Sequence, residues 1–337
     1  MKKAPYQTLH CHTTTSDGLL SYNQVLDICS KNNIGIVAFT DHDSLPKERV
    51  VKELLESKKY SAKWIIGIEI SSGKPADSRK KFSPHIVGLF VDPFNKELIK
   101  HCEMSQEARI QRMVHMVKKL KELGFDLTEK DCLNASKGES VGRPHIVQAI
   151  KSKSENLNVI NRLIKQMEKD AYSDEKLKLK YLQMIKQGEA QYPYVLFLSQ
   201  DSYIKGVYID YLYQLSLDDS VKLIRNAGGL SFFAHWFTEI GKFGERSIEK
   251  LLKEDRLDGV ETVYGFYDDI LVKFKKQRKI LKNLVDKYHK LESGGVDVHT
   301  KKHLEDFSKD KWYAGLTVGL AEKIILSGKA DKKWSSF

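Results

Sequence analysis

Cysteine and long apolar runs are two features that this 337-residue sequence has little of. Its cysteines are scattered without a CxxC pair, so neither a disulfide framework nor a thiolate zinc site is suggested. No apolar run approaches the roughly 18 residues of a membrane span, and no apolar segment of signal-peptide type follows the first lysines. We therefore expect a soluble cytoplasmic protein with no membrane partner. Its four cysteines are predicted to be reduced, mostly buried thiols: Cys11, Cys29, Cys102 and Cys132.

Positive charge, in contrast, is abundant and unevenly distributed. The formal net charge is +11, and the segment from Lys273 to Phe337 has 16 Lys and Arg against 8 Asp and Glu. A basic excess of this kind favours polyanionic partners such as nucleotides or nucleic acid. Solubility alone also explains it, so the composition leaves both interpretations open.

The first hundred residues alternate short apolar strands with helical patterns, which is typical of an α/β domain with parallel strands. Each predicted strand ends in polar or ionisable residues. In barrels of β/α units the chemistry collects at the C-terminal ends of the strands, so we expect a functional site there. The predicted strands are YQTLHCHT (6–13), IGIVAFTDHD (34–43), WIIGIEIS (64–71) and HIVGLFVD (85–92).

Between residues 101 and 210 the pattern changes, and we predict a mostly helical insertion that separates barrel parts at 1–100 and 211–337. The barrel pattern then resumes with a helix over 216–228, strands at 229–236 and 258–264, a basic helix at 270–290 and the strand-like GGVDVHT (294–300). Within the insertion, EARIQRMVHMVKKLKELG predicts a helix that stops at Gly124. Its apolar positions at helical spacing are Ile110, Met113, Val114, Val117, Leu120 and Leu123.

Imidazole and carboxylate side chains stand at the ends of most of these strands. A single strand-end histidine is more often structural, but nine such groups on one end of one barrel predict a metal site. Imidazole and carboxylate without thiolate suit Zn, Mn or Fe rather than copper or a cluster. The nine candidates are His10, His12, Asp17, His42, Glu69, His85, His235, Asp297 and His299.

Nine ligands exceed what one ion takes, because an ion with room left for water has about three or four protein ligands. If Glu69 bridges two ions, the set fills three positions. We therefore expect two to three divalent metal ions (Mn, Zn or Fe) as cofactors.

Seven motifs in order resemble the PHP (polymerase and histidinol phosphatase) family. Within it, the sequence is similar to the stand-alone phosphoesterases that include 3′,5′-nucleotide bisphosphate phosphatases and 5′-to-3′ oligoribonuclease relatives. The resemblance implies an α/β fold, a distorted seven-stranded (β/α) barrel of TIM-like type with a trinuclear metal site. The motifs are LHCHTTTSDG, FTDHDSL, GIEIS, HIVGLFVD, GRPHIVQAI, AGGLSFFAHW and GGVDVHT.

Carried over position by position, the resemblance also implies a role for each candidate ligand. Asp17 stands where some relatives have histidine. Asp41 and Asp43, which flank His42, would orient imidazoles, although they suit a turn equally well. The first metal would be held by His10, His12, Glu69 and Asp297, the second by Glu69, His85 and His235, and the third by Asp17, His42 and His299.

The GRPHI motif lies in the insertion, and the resemblance implies that Arg143 and His145 bind a substrate phosphate. A planar guanidinium can grip phosphate through paired charge-assisted bonds. The motif is equally typical of a helix start with Pro144 in the first turn, and both interpretations can hold. Four histidines match no motif and are interpreted as surface or core residues: His101, His115, His289 and His303.

Three residues near the candidate ligands depart from the family pattern. Trp236 follows His235 where proline is usual, and Val296 and Thr300 replace the commoner serine and glycine. These changes leave the ligands intact and affect what is expected of the substrate pocket.

The predicted function is metal-dependent hydrolysis of nucleotide phosphate esters, such as 3′,5′-nucleoside bisphosphates, by a hydroxide that bridges the metals. No serine or cysteine nucleophile motif is present, which agrees with direct attack. The alternative is a 5′-3′ exonuclease on short RNA or DNA, whose backbone the basic C-terminal region would bind. A histidinol-phosphate-type phosphatase and a non-catalytic binding module are less well supported. A degenerate binding module should have lost ligands, and this sequence has lost none. No protein partner is predicted.

Overall fold

A computed structural model describes residues 4–57, 59–73, 83–136, 140–239, 241, 243–265 and 271–337. The chain divides into two compact units. The first unit consists of residues 1–105 and 214–337, and the second consists of residues 106–213.

The first unit is built on one seven-stranded sheet in which the strands follow chain order. Its two edges meet, because the Leu9 amide, just beyond the first strand, donates to the Gly294 carbonyl in the last strand at 2.9 Å. The result is a nearly closed barrel, and the predicted seven-stranded α/β barrel is confirmed. The strands are β1 Tyr6–Thr8, β2 Ile34–Phe39, β3 Lys63–Ser71, β4 His85–Leu89, β5 Leu230–Phe233, β6 Gly259–Tyr264 and β7 Leu291–Gly295.

Helices surround these strands and fill the second unit. Residue 270 of the predicted basic helix lies outside the described residues, and that helix begins at Leu271. The helices are α1 Tyr22–Lys31, α2 Glu48–Glu56, α3 Lys96–Glu122, α4 Glu129–Ser136, α5 Arg143–Lys151, α6 Glu155–Asp170, α7 Glu175–Gln187, α8 Leu217–Asn226, α9 Trp236–Glu239, α10 Glu245–Lys253, α11 Leu271–Lys287, α12 Lys301–Lys309, α13 Lys311–Gly315 and α14 Leu320–Leu326, with a π-helical turn at Tyr194–Leu198 and a 3-10 turn at Lys332–Trp334.

One strand runs against the others. β1, β2 and β3 pair in parallel, as do β5, β6 and β7, whereas β4 is antiparallel to both β3 and β5. The prediction of parallel strands throughout the first hundred residues is therefore wrong for β4. Its reversal brings the N-terminal end of β4, where His85 lies, beside the C-terminal ends of the other strands.

Strand alternation separates two apolar layers, as β3 shows. Trp64, Ile66, Ile68 and Ile70 belong to the core between strands and helices. Ile65 faces the barrel interior, together with residues from the neighbouring strands and from α14. Continuing the same alternation through Gly67 directs Glu69 into the interior, so the strand pattern itself delivers a carboxylate to the inside of the barrel.

The second unit is helical, as the sequence predicts for the insertion. The part of α3 in this unit buries Met113, Val117 and Leu120, and the chain leaves the helix at Gly124 in a left-handed conformation (φ 92°). Ile110 and Val114 are 38% and 40% exposed. The apolar face predicted for this helix is therefore too wide, because helical spacing does not distinguish residues at the margin of a buried stripe.

Two further features of the sequence can be compared with the structure, namely its cysteines and its lack of a long apolar run. All four cysteines are buried and free of disulfide bonds, which confirms the thiol prediction. In the part of the chain that the structure describes, no helix is long and apolar enough to cross a membrane.

Candidate metal centre

The nine predicted ligands all lie in the first unit, and the structure brings them together. Ligand atoms of seven of the nine form three overlapping sets, and within each set every atom lies within 4.8 Å of every other. The other two, His235 and Asp297, adjoin these sets through Glu69 and His12. The three sets are His10, His12 and Glu69; His42, Glu69 and His85; and His12, Asp17, His42 and His299.

Two imidazole nitrogens meet one oxygen of Glu69, and an oxygen of Asp297 lies beside them. The Nε2 atoms of His10 and His12 are 3.2 Å apart, and each lies 3.2 Å from Glu69 Oε2. Asp297 Oδ1 lies 3.5 Å from His10 Nε2 and 3.0 Å from His12 Nε2. Ligands bound to one ion at about 2.1 Å stand about 3.0 Å apart in an octahedron and about 3.4 Å apart in a tetrahedron. His10 Nε2, His12 Nε2 and Glu69 Oε2 therefore have the spacing of a metal-ligand set, and Asp297 Oδ1 adjoins the two nitrogens.

The other oxygen of Glu69 belongs to a second group. Glu69 Oε1 lies 2.9 Å from His85 Nδ1 and 3.0 Å from His235 Nε2, and these two nitrogens are 3.1 Å apart. His42 adjoins both groups, with its Nδ1 2.9 Å from Glu69 Oε2. A carboxylate that faces one group with each oxygen has the arrangement needed to bridge two ions.

The third group is more open than the other two. Asp17 Oδ1 lies 3.3 Å from His299 Nε2, and Asp17 Oδ2 lies 4.0 Å from His42 Nε2. His299 Nδ1 donates to the Asp297 carbonyl at 2.9 Å, which leaves Nε2 for another partner. The His12 ring connects this group to the first, because its centroid is 4.4 Å from that of His42 and 4.3 Å from that of His299.

Two carboxylate oxygens in the first group have no hydrogen-bond donor. Glu69 Oε2 and Asp297 Oδ1 are buried and accept no hydrogen bond from the described residues. A buried acceptor without a partner costs about 1–3 kcal/mol, and more when it is charged. A cation among these oxygens and the imidazole nitrogens removes that cost, so the donor set fits a divalent metal centre.

Opposite charges shift the pKa values of the cluster strongly. Burial by itself would lower the pKa of His12, but contacts with Asp297 and Glu69 raise that pKa to about 10. Burial likewise disfavours protonated His10, yet the charges of Glu261 and Glu69 raise its pKa well above the usual value. Burial would raise the pKa of Glu69 and Asp297, but the neighbouring imidazoles hold it well below the ordinary range. Metal ligands must be deprotonated. The carboxylates already are, and the imidazoles release their protons when a metal ion binds.

His10 and His12 reach the site because the chain continues past the end of β1. That strand is shorter than the predicted YQTLHCHT, but the following residues still pair with the segment after β7, as in the His12 amide that donates to the Val298 carbonyl at 2.8 Å. A Cβ at Gly295 would lie 2.8 Å from the backbone nitrogen of His10. Glycine therefore permits the close approach that sets these histidines beside Asp297.

Asp41 holds the loop between His12 and Asp17. Its carboxylate accepts the Thr13 amide at 2.7 Å, the Thr13 hydroxyl at 2.8 Å, the Ser16 hydroxyl at 2.6 Å and the Tyr22 hydroxyl at 3.0 Å. Asp41 thus holds the loop that joins two candidate ligands, which is the turn role, one of the two that the sequence leaves open.

Asp43 lies on the other side of His42 and does contact an imidazole. Its Oδ1 accepts the Ser71 amide at 3.0 Å and lies 3.3 Å from Nε2 of the buried His101, which the sequence analysis interprets as a surface or core residue. Asp43, His235 and Asp297 all have positive φ angles, of 45°, 34° and 49°. Such strain in non-glycine residues collects at functional sites, and here two of the three are candidate ligands.

Two residues of β6 that sequence reasoning misses lie in the site. Glu261 is fully buried, 2.8 Å from His10 Nδ1, and the Tyr264 hydroxyl donates to Asp297 Oδ2 at 3.1 Å. The signal was the ionisable Glu261 within the apolar strand DGVETVY, which ends in tyrosine.

The departures from the family pattern have structural partners. The Trp236 indole is buried and donates to the Phe243 carbonyl at 2.7 Å. Val296 is buried in the core between strands and helices. The Thr300 side chain caps α12 by accepting the His303 amide at 3.2 Å. These residues therefore stabilise the segments that follow His235 and flank Asp297 and His299.

The predicted phosphate-binding residues lie in the second unit, at the start of α5. Arg143 is half-buried and donates to the Leu198 carbonyl at 3.1 Å. His145 is buried, and its Nδ1 accepts the Gly142 amide at 2.9 Å. An imidazole that accepts at Nδ1 carries its proton on Nε2 when neutral, so the Nδ1 of His145 caps the helix while Nε2 carries the ring proton.

The sequence matches a profile of the PHP domain over residues 8–296. A 3′,5′-nucleoside bisphosphate phosphatase of Chromobacterium violaceum is 24% identical over 317 residues, which cover 90% of this chain and 94% of that protein. A phosphoribosyl 1,2-cyclic phosphate 1,2-diphosphodiesterase of Eggerthella lenta is 27% identical over 147 residues, 43% of this chain and 54% of that protein. A 5′-3′ exoribonuclease of Haemophilus influenzae is 27% identical over 117 residues, 35% of this chain and 40% of that protein.

The alignments with the last two proteins thus span about half of their length or less. Among solved structures, an amidohydrolase of Chromobacterium violaceum with bound sulfate and no metal superposes with a TM-score of 0.61 at 21% identity, covering 88% of each chain. A Bifidobacterium adolescentis protein superposes with a TM-score of 0.62 at 22% identity, covering 88% of this chain and 89% of its own. These two likenesses bear on the fold alone.

Proposed function

Because this chain belongs to the PHP domain family of metal-dependent phosphoesterases, we propose that it hydrolyses phosphate esters of nucleotides, such as 3′,5′-nucleoside bisphosphates. The observation that carries the proposal is the set of His10 Nε2, His12 Nε2 and Glu69 Oε2, each 3.2 Å from the other two. When bound, divalent ions lower the pKa of water and neutralise charge on phosphoryl oxygens.

The three groups support the ligand roles implied by the resemblance. Glu69 would serve two ions, one of which His10, His12 and Asp297 would hold and the other His85 and His235. Asp17, His42 and His299 would hold a third ion at the more open position. Asp41 and Asp43 hold the ligand-bearing loops in place. Two to three ions among these residues match the number of groups, and Mn, Zn and Fe are the metals that suit them.

We also propose that Arg143 and His145 bind a phosphate of the substrate. Further positive charge near Arg143 in the second unit supports this. Arg112 is buried, and its Nε donates a hydrogen bond to the Ile209 carbonyl at 2.8 Å. Its Nη2 has no hydrogen-bond partner among the described residues. Burial and the charges of Arg143 and Arg109 lower the pKa of Arg112. An anion relieves repulsion among three guanidinium groups, so phosphate suits this cluster.

Aromatic rings complete the cluster. The Arg112 guanidinium lies 5.1 Å from the centroid of the Tyr208 ring and 4.4 Å from that of Tyr211, while Arg143 lies 5.8 Å from both Tyr194 and Tyr208. These contacts hold the guanidinium groups in fixed positions. Fixed donors bind an anion with less loss of side-chain entropy than mobile surface lysines do.

Nucleotides are the proposed substrates because the relative aligned over 94% of its length is named a nucleoside bisphosphate phosphatase. A second candidate is a 5′-3′ exonuclease on short RNA or DNA. The basic segment from Lys273 to Phe337 favours it, because an oligonucleotide offers more phosphates to that charge than a mononucleotide does.

Hydrolysis assays on purified protein whose metal content has been measured test both candidates. The substrates are 3′,5′-bisphosphoadenosine, a 5′-phosphorylated short oligoribonucleotide and p-nitrophenyl phosphate. For Arg143→Ala we expect kcat/KM on the nucleotide substrates to fall by about 10- to 150-fold, because one charge-assisted contact contributes about 1.5–3 kcal/mol. Hydrolysis of the small activated ester should survive much better, since it needs only the metal centre.

Arg162→Ala is the matched control, because exposed Arg162 also donates to a backbone carbonyl of the second unit, that of Leu123. It should leave all three efficiencies within about twofold of wild type. Equal losses on the three substrates in Arg143→Ala, or none, would show that GRPHI is only a helix start. Absence of hydrolysis of every substrate by metal-loaded wild type would refute the proposed substrate class.

A further inference from the structure

β6 contributes to the metal centre through a β-bulge. The register between β6 and β7 shifts between Glu261 and Val263, so Thr262 is an extra residue in the ladder. Without the bulge, Val260 and Val263 would face opposite sides of the sheet. With it, both lie in the core between strands and helices, and Glu261 and Tyr264 both contact residues of the metal centre.

The two oxygens of Glu261 each accept one hydrogen bond from a ligand-bearing residue. Oε1 lies 2.8 Å from His10 Nδ1, and Oε2 accepts the His235 backbone amide at 2.7 Å. The side chain is fully buried. Its partners are distant in sequence, since His10 follows β1 and His235 follows β5.

The contact with His10 selects the tautomer that can bind a metal. An imidazole that donates from Nδ1 to a carboxylate has a free lone pair on Nε2. That is the His10 atom that lies 3.2 Å from both His12 Nε2 and Glu69 Oε2. Glu261 therefore aims His10 at the first group of ligands.

The contact with His235 acts through the backbone. His235 has a φ angle of 34°, which costs free energy in a residue other than glycine. A charge-assisted bond from its amide to Glu261 offsets that cost. It also fixes the direction of the imidazole whose Nε2 lies 3.0 Å from Glu69 Oε1 in the second group.

We propose that Glu261 is a positioning residue that aligns two neighbouring ion positions at once, one through the His10 ring and the other through the His235 backbone. The inference rests on the proposed metal centre and is independent of the substrate. Glu261 itself is not a metal ligand in this assignment.

Cobalt binding tests the assignment without measuring activity. Glu261→Gln keeps the shape of the side chain but has one acceptor oxygen for two donors. We expect the affinity for Co²⁺, measured by chelator competition, to fall by about 10- to 100-fold, and the visible absorption bands of bound Co²⁺ to change. The metal-free circular dichroism spectrum should stay as in wild type.

Glu292→Gln on β7 is the matched control. Glu292 is a nearby glutamate that accepts the Thr262 hydroxyl at 3.0 Å and pairs with Lys282. We expect its Co²⁺ affinity to stay within about twofold of wild type, because its oxygens contact no candidate ligand in the described part of the chain. Equal affinities of the Glu261→Gln and Glu292→Gln variants would refute the positioning role.

If Glu261→Gln is insoluble, Glu261→Asp replaces it, since aspartate keeps the charge but is too short to reach both donors. Wild-type affinity in Glu261→Asp would equally contradict the proposal. Wild-type protein that binds no Co²⁺ would overturn both this inference and the proposed metal centre. Wild-type protein that binds Co²⁺ but hydrolyses none of the three substrates would overturn the proposed function alone.

Discussion

Glu69 contacts candidate ligands of two groups, because each of its oxygens faces a different group. Oε2 lies 3.2 Å from His10 and His12, and Oε1 lies about 3 Å from His85 and His235. The residue is buried, and the alternation of β3 directs it inward. A single carboxylate on one strand therefore connects two proposed ion positions.

Removing the charge of one carboxylate tests this role. Glu69→Gln and Asp297→Asn each replace an anionic oxygen with a neutral amide of nearly the same shape. We expect bound metal, measured by elemental analysis after gel filtration, and turnover of 3′,5′-bisphosphoadenosine to fall together. The loss should be about 10-fold or more, since even residues behind the ligands have effects of that size.

Glu322→Gln is the control for this pair, because exposed Glu322 in the same unit accepts from the Gln7 side chain and contacts no candidate ligand in the described residues. It should retain wild-type metal content and turnover. Full metal content and activity in Glu69→Gln and Asp297→Asn would contradict the assigned roles.

At the scale of elements, two irregular strands complete the site. β4 runs against its neighbours, so its first residue, His85, stands where the other strands end. β6 has a bulge at Thr262, which allows both Glu261 and Tyr264 to contact the centre. A regular parallel barrel with the same sequence would direct at least one of these side chains elsewhere.

The start of β6 depends on a partly buried carboxylate. Asp258 Oδ2 accepts the Ser231 amide at 2.8 Å and the Ser231 hydroxyl at 2.7 Å, and Oδ1 pairs with Arg225 of α8 at 3.0 Å. Burial alone would raise the pKa of Asp258, but the bonds from Arg225 and Ser231 lower it below 3.8. The carboxylate thus joins α8, β5 and β6 in its ionised form.

This pKa shift predicts a pH-dependent effect of Asp258→Asn. A folded-state pKa below the unfolded value contributes stability above the unfolded pKa, and that stability is lost as the pH falls through the folded pKa. We expect Asp258→Asn to lower the free energy of unfolding in urea by about 1.5–3 kcal/mol at pH 7. The difference from wild type should shrink as the pH drops below 3.8.

The control is Asp255→Asn, a nearby exposed carboxylate that pairs with Lys290. Asp255 has a positive φ angle, which asparagine also adopts readily. It should change the free energy of unfolding by about 0.5 kcal/mol or less at pH 7. A loss in Asp258→Asn that persists unchanged at low pH would show that the charge is not what stabilises this junction.

At the scale of the whole molecule, metal ions should contribute to stability, because the ligands come from segments as distant in sequence as His10 and Asp297. A ligand that binds only the folded chain stabilises it by about 4.1 kcal/mol at 1,000 times its Kd. We expect treatment with a chelator, followed by its removal, to lower the thermal midpoint by about 5 °C or more. Added Mn²⁺ or Zn²⁺ should restore it.

Scanning calorimetry of wild type and Glu69→Gln checks this expectation. The variant should respond to Mn²⁺ or Zn²⁺ with a smaller increase in thermal midpoint, since it lacks the bridging carboxylate. Identical midpoints for chelated and metal-supplemented wild type would mean that the cluster does not bind metal in the folded protein.

The sequence by itself determined the residue types of the candidate site and the positions of its main strands, whereas the seven-stranded barrel was implied by the resemblance to a known family. Strand alternation predicted WIIGIEIS almost residue for residue as β3, Lys63–Ser71, and the nine candidate ligands lie close together in the first unit. Local physics suffices for this, because side-chain period depends on neighbouring residues and ligand type depends on the residue itself. The N-cap of α8 at Ser216 follows from the same local rules.

Only the tertiary structure decided what depends on partners far away in the chain. Glu261 contacts His10 across 251 positions, and no local pattern records that distance. The direction of β4 is a property of strand pairing, so apolar spacing predicted the strand but not its reversal. The exposure of Ile110 and Val114 likewise depends on what packs against α3. Residue chemistry and period are local and can be read from the chain, whereas strand direction, bulges and the partner of each buried charge are set by packing.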